Sequence, residues 1–333
     1  MKAVRIHETG DVNVLQVDTN VPIPEISHHQ VLIKIAYSSV NFIDTYFRSG
    51  LYPVPSLPKV LGQDGSGIIE KIGDQVPKEC GLKVGDRVAF SSSSGSYAEY
   101  AAVDYNSVAK LPSEISLKDS VACMINGLTA YYLAFDIPSI RSDVVLIHSA
   151  AGGTSRLLVQ IMSKIKKCST IIGTVGSPEK VDLALKLGCT HVIQYSTEDV
   201  VERVKEITNG KGVDIVFDGV GKDTYQSSLN SLGVRGLFIS FGNASGPVGL
   251  INPLDLSRRG SINFTRPKMG DFVTTFDELQ EKSHKLFSWV SQGLIDINIH
   301  KVFNLEEIKE AHNEIEGRKA TGKILLKVSE ETP

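Results

Sequence analysis

The sequence has few cysteines, no long apolar run and no large excess of either charge. Its four cysteines include no C-x-x-C pair, which is typical of reduced thiols in a cytoplasm rather than of a disulfide framework. No apolar run approaches the roughly 18 residues that a membrane helix needs, and the N-terminal residues alternate like a strand instead of resembling a signal peptide. The formal net charge of −3 provides no broad attraction to nucleic acid or to anionic membrane. These absences predict a cytoplasmic globular protein that binds neither.

Metal ligands are also scarce. No cysteine precedes Cys80, and no set of His, Cys and Glu has the spacing of a zinc site. The pair His28-His29 is interpreted as solvated, and His148 as a residue that packs or bonds locally. We therefore expect chemistry without a metal.

The distribution of strand and helix patterns predicts two domains. Residues 1–124 contain short strand patterns separated by clusters of Gly, Pro, Asp and Ser, which indicates an irregular β-rich domain. In residues 125–266, continuous apolar strands alternate with helices, which predicts a doubly wound parallel sheet of the Rossmann type. Residues 267–333 are too few for a domain and are expected to pack on the first one. The predicted fold class is α/β.

A run of small residues follows the first strand of the parallel series, at 150–155 (AAGGTS). Small residues at this turn let the backbone approach a pyrophosphate, which then lies at the N-terminus of the next helix. Because Ser155 replaces the usual third glycine, the pattern alone is a weak match, and an ordinary strand-to-helix turn is the alternative. The further βα units that follow favour dinucleotide binding. Ser155 is expected to cap the helix.

The end of the second parallel strand indicates which dinucleotide binds. An NAD site normally carries Asp or Glu there, to bond the ribose hydroxyls. Here Val175-Gly176-Ser177 contains no acid, and Lys180 follows within one helical turn. Lys180 and Ser177 could bind a 2′-phosphate, with Tyr195 adding a hydrogen bond, although Lys180 could also be a solvated helix lysine. The sequence predicts NADPH as the cofactor.

Long segments at 41–53 (NFIDTYFRSGLYP), 126–132 (NGLTAYY), 150–153 (AAGG), 240–246 (SFGNASG) and 265–267 (TRP) occur in the order of a known family. Over essentially its whole length the chain resembles the zinc-free quinone oxidoreductases, the ζ-crystallin-like branch of the medium-chain dehydrogenases/reductases. In zinc-dependent relatives a Cys stands at the position of Asn41, and His-Glu at the positions of Gln63 and Asp64. A cysteine-rich structural-zinc lobe is also missing.

The resemblance implies a GroES-like catalytic domain at 1–124 and 267–333, a Rossmann domain at 125–266, nicotinamide entering between them, a quinone substrate and a homodimer. It places Asn41, Tyr46 and Thr129 near the nicotinamide, with Tyr46, Asn41 and Tyr52 as the catalytic residues. The other expected cofactor ligands are Ala151, Gly152, Gly153 and Thr154 at the pyrophosphate, Gly176, Ser177, Lys180, Tyr195 and Arg318 at the 2′-phosphate, and Gly219, Ser240, Phe241, Gly242 and Arg266 along the rest of the channel. The chain departs from the family where Thr154-Ser155 replaces Val-Gly and where Gly219 replaces Ser.

Other interpretations stay open. Tyr46 and Tyr52 could simply pack beside a turn, Asn41 could satisfy its own backbone, and Arg266 could be a surface anchor. On the same fold, the enzyme could instead reduce the activated double bond of an enone or alkenal. A protein that binds NADPH for a structural or RNA-binding role is the alternative from another class, which the absence of a basic stripe disfavours.

Overall fold

The computed structural model describes residues 1–91, 95–139, 141–317 and 320–330. The chain divides into two compact units, one formed by residues 1–128 with 273–333 and the other by residues 129–272. The assignment of a catalytic domain to 1–124 and 267–333 and of a cofactor domain to 125–266 remains a prediction about function.

The strands of the described residues, in chain order, are β1 Ala3–Ile6, β2 Leu15–Asp18, β3 Gln30–Val40, β4 Lys59–Val60, β5 Asp64–Ile72, β6 Arg87–Ser91, β7 Tyr100–Asp104, β8 Val108–Lys110, β9 Val144–Ile147, β10 Thr170–Val175, β11 His191–Gln194, β12 Val213–Asp218, β13 Leu232–Ser240, β14 Asn263–Thr265, β15 Ile299–Asn304 and β16 Lys323–Lys327. The α-helices are α1 Phe42–Ser49, α2 Leu117–Phe135, α3 Gly153–Gln160, α4 Val181–Leu187, α5 Val200–Ile207, α6 Tyr225–Ser231, α7 Pro253–Arg258, α8 Phe276–Ser291 and α9 Ile308–Glu316.

The unit of residues 129–272 contains the predicted doubly wound sheet. Its described strands run in the order β11-β10-β9-β12-β13-β14, and every pair is parallel. The central strands are apolar because helices cover both faces of such a sheet, as in β9, where Val145, Leu146 and Ile147 are fully buried. This confirms the predicted α/β fold class, and it brings the carboxyl ends of β9, β10, β12 and β13 to one edge, where ligands of such sheets bind.

The unit of residues 1–128 and 273–333 is rich in antiparallel strands. Its larger sheet follows the order β15-β16-β3-β5-β6-β8, with β7 also paired to β3, and a smaller sheet joins β2, β1 and β4. The C-terminal β16 runs antiparallel to β3, with Ile324 opposite Val40, while β5 pairs with β3 so that Gly65 lies opposite Ser38. This register brings the start of β16, the end of β3 and the start of β5 together.

Candidate active site

The small-residue turn leads from β9 into α3 as predicted. Ala150 and Ala151 are buried, and Gly152 immediately precedes the helix without a side-chain cap. A Cβ atom on Gly152 would lie 3.1 Å from the carbonyl oxygen of Ser149, so the backbone there is already tight. Gly153 and Thr154 begin the helix and are partly exposed. The N-terminus of a helix suits an anion such as a pyrophosphate, because the backbone N–H groups of its first turn point toward it.

The expectation that Ser155 caps this helix was wrong. The helix begins at Gly153, so Ser155 already lies inside the first turn. Its hydroxyl donates to the carbonyl oxygen of His148 at 2.9 Å and is buried. Ser155 therefore closes the turn from within, leaving the first N–H groups without a side-chain acceptor from this residue.

The buried side chain of His148 stabilises this turn through contacts of both its ring nitrogens. His148 Nδ1 lies 3.1 Å from Thr174 Oγ1 and its Nε2 lies 3.0 Å from Ser228 Oγ. The Ser228 hydroxyl in turn donates to Asp218 Oδ2 at 2.7 Å. Burial lowers the pKa of His148, which favours the neutral ring. This confirms the interpretation of His148 as a locally bonded residue.

The end of β10 brings together the residues expected at a 2′-phosphate. A Cβ atom on Gly176 would lie only 2.5 Å from the Tyr195 hydroxyl oxygen, so the tyrosine ring packs directly on the glycine. Ser177 precedes a short turn that ends at Lys180. Burial lowers the pKa of Lys180, and the neighbouring Glu179 opposes this shift. No carboxylate occupies the ribose position at the end of this strand, so these residues fit a phosphorylated ribose.

Two glycines allow the ends of β12 and β13 to approach closely. A Cβ atom on Gly219 would lie 2.9 Å from the Phe241 ring, and one on Gly242 would lie 2.4 Å from the Gly219 carbonyl oxygen. Ser240 is buried at the end of β13, and the Phe241 amide donates to the carbonyl of Asp218 at 2.8 Å. Larger side chains at either glycine would force these chain segments apart.

Arg266 and Thr129 lie in the same unit. Arg266 follows β14, and its Nη1 donates to the carbonyl oxygen of Pro267 at 3.2 Å. Burial raises the pKa of Tyr132, while the charge of Arg266 and a hydrogen bond with Thr129 oppose that rise. The Tyr132 ring stacks on Phe272 with centroids 4.7 Å apart. Arg318, expected at the 2′-phosphate, lies outside the described residues.

In the other unit, Tyr46 and Tyr52 are in contact. Tyr46 is on α1 and is only 8% exposed, whereas Tyr52, in the loop after the helix, is partly exposed. Their rings meet edge to face with centroids 5.3 Å apart, and Tyr52 also contacts Phe47. The Tyr52 amide donates to the Tyr46 carbonyl at 3.0 Å. The structure thus brings together both tyrosines of the predicted catalytic set.

Asn41 belongs to a buried polar cluster, which we define as Ser39, Asn41, Asp44, Asp64 and Lys323. All five residues are at most 5% exposed. The Asn41 Nδ2 donates to Asp64 Oδ1 at 2.9 Å, the Lys323 ammonium donates to Asn41 Oδ1, and the Ser39 hydroxyl donates to Asp64. The Asn41 backbone N–H donates to Asp44 Oδ2 at 2.8 Å.

The cluster perturbs the ionisation of its charged members. Burial raises the pKa of Asp64, and the ammonium of Lys323 opposes this effect. Burial likewise lowers the pKa of Lys323, against the pull of Asp64 and Asp44. For Asp44, burial raises the pKa to about 7 despite hydrogen bonds from Asn41 and Tyr97. The resemblance singled out positions 41 and 64 because zinc-dependent relatives carry Cys and Glu there, but nothing in the sequence connected them with Lys323.

Among residues 1–91, 95–139, 141–317 and 320–330, no group of three or more His, Cys, Asp or Glu side chains is arranged to hold a metal ion. Within the same residues, every helix is too short or too polar to cross a membrane.

Known protein families match residues in both units of the chain. Residues 27–113 match the alcohol dehydrogenase GroES-like domain and residues 156–288 match the zinc-binding dehydrogenase family. A quinone oxidoreductase of Salmonella typhimurium is 40% identical over 97% of this chain and 98% of its own. The structure of Escherichia coli quinone oxidoreductase complexed with NADPH is 39% identical, with a TM-score of 0.93 over 98% of this chain and 100% of that one.

A third similar protein has a different name. The 2-haloacrylate reductase of a Burkholderia species is 37% identical over 89% of this chain and 90% of its own. The full-length similarity, the GroES-like segment and the parallel sheet all lead to the same assignment. The chain belongs to the quinone oxidoreductase family of the medium-chain dehydrogenase/reductase superfamily.

Proposed function

We propose that this chain catalyses the NADPH-dependent reduction of quinones without a metal. The observation that carries the proposal is the end of β10, where Val175, Gly176 and Ser177 carry no carboxylate and the partly buried Lys180 follows within one helical turn. Glu179 lies beyond the strand end, where Ser177 bonds it, so the ribose position itself has no acid and suits a 2′-phosphate rather than two ribose hydroxyls. Relatives named quinone oxidoreductases, including one whose structure contains NADPH, support the same cofactor and substrate class.

The second unit would hold the nucleotide. We assign the pyrophosphate to the turn of Ala151, Gly152, Gly153 and Thr154, which leads into the N-terminus of α3, and the 2′-phosphate to Ser177, Lys180, Tyr195 and Arg318. Because Ser177 is neutral and its side chain also bonds Glu179, the positive charge at the phosphate would come from Lys180 and Arg318. The remaining channel would be lined by Gly176, Gly219, Ser240, Phe241, Gly242 and Arg266.

The first unit would hold the reacting groups. Bound NADPH would supply a hydride, and the quinone would accept it together with one proton to become the hydroquinone. We assign Asn41, Tyr46 and Thr129 to the nicotinamide, and Tyr46 and Tyr52 to the planar quinone. Edge-to-face packing of the two tyrosines holds their rings in fixed orientations, which suits recognition of a flat substrate.

A second candidate function is reduction of an activated carbon–carbon double bond. It is favoured by the likeness to the 2-haloacrylate reductase. In both reactions an electron-poor substrate would accept a hydride from NADPH, so the nucleotide site would be the same. The difference would lie in how the first unit accommodates the substrate.

A substrate panel tests the proposed function. NADPH oxidation would be followed with simple quinones, enones, alkenals and 2-haloacrylates, each with and without prolonged chelation. We expect the highest kcat/KM with a quinone and the same rate after chelation. Faster turnover of a double-bond substrate would favour the second candidate, and NADPH binding without turnover would favour a binding role. Loss of activity that zinc restores would contradict the metal-free mechanism.

We further propose a cytoplasmic homodimer. β14 is at the edge of the described parallel sheet, and the large apolar side chains that are exposed in the same unit include Val234, Leu250 and Leu254. Strand edges and exposed apolar side chains are both features that association between chains can cover. Light scattering after size exclusion should give twice the chain mass, and a monomer at micromolar concentration would contradict the proposal.

A further inference from the structure

Asn41 is held between opposite charges in the buried polar cluster. Its Oδ1 accepts from the Lys323 ammonium, and its Nδ2 donates to the Asp64 carboxylate at 2.9 Å. Rotation of the amide by 180° would place the NH₂ group against the ammonium and the oxygen against the carboxylate. Because hydrogen bonds to charged groups are stronger than those between neutral groups, such a rotation would lose two favourable bonds and create two repulsive contacts. The charges therefore fix the orientation of the amide.

This orientation determines what Asn41 can still bind. An amide nitrogen has two hydrogens, and three acceptors surround Nδ2, since Ser39 Oγ at 3.2 Å and Ser39 O at 3.3 Å lie beside the Asp64 oxygen. The amide oxygen accepts from Lys323, and the capping box at the start of α1 turns the same side chain toward the Asp44 N–H. The side chain is thus saturated as a donor, so a further hydrogen bond to a ligand has to be accepted by its oxygen.

Lys323 is the residue whose charge fixes the orientation of the Asn41 amide oxygen. Its side chain enters from the first residue of β16, one position beyond the register pair of Ile324 and Val40, so the sheet itself delivers the ammonium to Asn41. It is 5% exposed, and Asp64 and Asp44 are the carboxylates whose charges act on it. A buried ammonium persists only with such compensation. The cluster thus contains its own cation, Lys323, whose charge is compensated by the carboxylates of the same cluster.

We propose that Lys323 is a positioning residue that fixes Asn41 as a hydrogen-bond acceptor for an O–H or N–H group on the nicotinamide half of NADPH. The inference rests on the proposed function, because it takes the nicotinamide as the ligand of Asn41. It also excludes Asn41 as a donor to the developing negative charge on the quinone oxygen, since its N–H groups point to Asp64 and Ser39.

The test compares binding of NADPH with binding of 2′,5′-ADP, which carries the 2′-phosphate but no nicotinamide. Dissociation constants would be measured by calorimetry on the wild type and on Lys323→Met. In Lys323→Met the Asn41 amide is no longer held in place, so its hydrogen bond to the nicotinamide half should be lost. NADPH binding should then weaken roughly tenfold, while 2′,5′-ADP binding should stay unchanged. The matched control is Lys327→Met, on the same strand, whose partly exposed ammonium pairs with Glu330; it should bind both ligands like the wild type.

A double-mutant cycle tests whether Lys323 acts through Asn41. Asn41→Ala and Lys323→Met should each weaken NADPH binding, and the double variant should be no weaker than the worse single variant. If Lys323→Met does not fold, Lys323→Met with Asp64→Asn removes both charges and takes its place. It should show the same selective loss of NADPH affinity.

The outcomes separate the two proposals. If the wild type binds NADPH and Lys323→Met binds it equally well, the positioning role is overturned while the proposed function stands. Equal losses for NADPH and 2′,5′-ADP, or additive losses in the cycle, would also overturn it, because they indicate general damage or independent roles. A wild type that fails to bind NADPH would overturn the proposed function and this inference with it.

Discussion

Asp64 and Asp218 are both fully buried carboxylates, but the two units stabilise them differently. Asp218 receives local neutral donors, among them the amides of Val220 and Gly221 at 2.8 and 3.0 Å and the Thr224 hydroxyl at 2.7 Å. Asp64 instead receives Ser39 and Asn41 from β3 and its edge, and it faces the charge of Lys323. Asp218 therefore stabilises the single turn that follows β12. Asp64 connects β3, β5 and β16, so its loss should affect the whole unit that contains these strands.

The largest expected effect follows from removal of Asp64. Asp64→Ala leaves the buried Lys323 ammonium without its principal counter-charge, and breaking a buried pair in this way typically costs about 3–5 kcal/mol. Urea unfolding followed by circular dichroism measures the loss. The exposed Asp74 pairs with His28 at the surface, and Asp74→Ala should leave the midpoint unchanged. A similarly small change for Asp64→Ala would mean that the cluster contributes little to stability.

Asp44 should make stability depend on pH. Its folded pKa of about 7 lies above the value near 3.9 of an unfolded Asp. Between about pH 4 and pH 7 the native state therefore binds more protons than the unfolded state, and its stability falls as pH rises. The neutral Asp44→Asn variant lacks this loss, so its stability relative to the wild type should increase by a few kcal/mol across that window.

A second buried group, His312, also makes stability depend on pH, because burial lowers its pKa to about 3. It acts in the opposite direction, because the unfolded histidine binds a proton that the native one refuses, so stability rises with pH between about 3 and 6.5. His312 is present in both proteins and should largely cancel from their difference. Parallel stability curves for the wild type and Asp44→Asn would contradict the assignment to Asp44.

At the nucleotide edge the expected effect is on affinity rather than stability. Lys180→Ala should weaken NADPH binding roughly ten- to a hundredfold, since a charged hydrogen bond is worth about 1.5–3 kcal/mol. NADH has no phosphate for the lysine, so its dissociation constant should hardly change. Calorimetric titration with both cofactors is the measurement, and Arg318→Ala in the same background shows whether the two cations share the phosphate. An equal loss for both cofactors would argue against a 2′-phosphate contact.

The smallest expected effect concerns Tyr46. Because its ring is largely buried against Tyr52, Tyr46→Phe is the informative change: it keeps the packing and removes only the hydroxyl. Loss of one neutral hydrogen bond should lower kcat/KM for a quinone by roughly two- to tenfold, with an unchanged melting temperature. Tyr105→Phe, which retains the ring contact with Phe276, should behave like the wild type. Full activity of Tyr46→Phe would assign that side chain to packing alone.

The contrast between the units also explains what the sequence could predict. The Gly152-Gly153 turn, the missing acid after Val175 and the parallel sheet depend on neighbouring residues and on apolar patterns, and each was predictable. Ser155 was wrongly predicted to cap α3, because the helix begins two residues earlier, at Gly153. A sequence pattern does not define the first residue of a helix that closely. The contact of Lys323 with Asn41 joins residues 282 positions apart. The sequence predicted that residues 267–333 pack on the first domain but not the register of β16 against β3, so the lysine gave no signal.

The central claim is that this chain distinguishes NADPH from NADH through a cation at the end of β10. The most direct measurement is the dissociation constant of the wild-type protein for each cofactor, at low and at moderate salt. We predict that NADPH binds at least roughly tenfold more tightly at low salt, and that the difference shrinks as salt screens the partly exposed lysine. Equal affinities for NADPH and NADH would contradict the account.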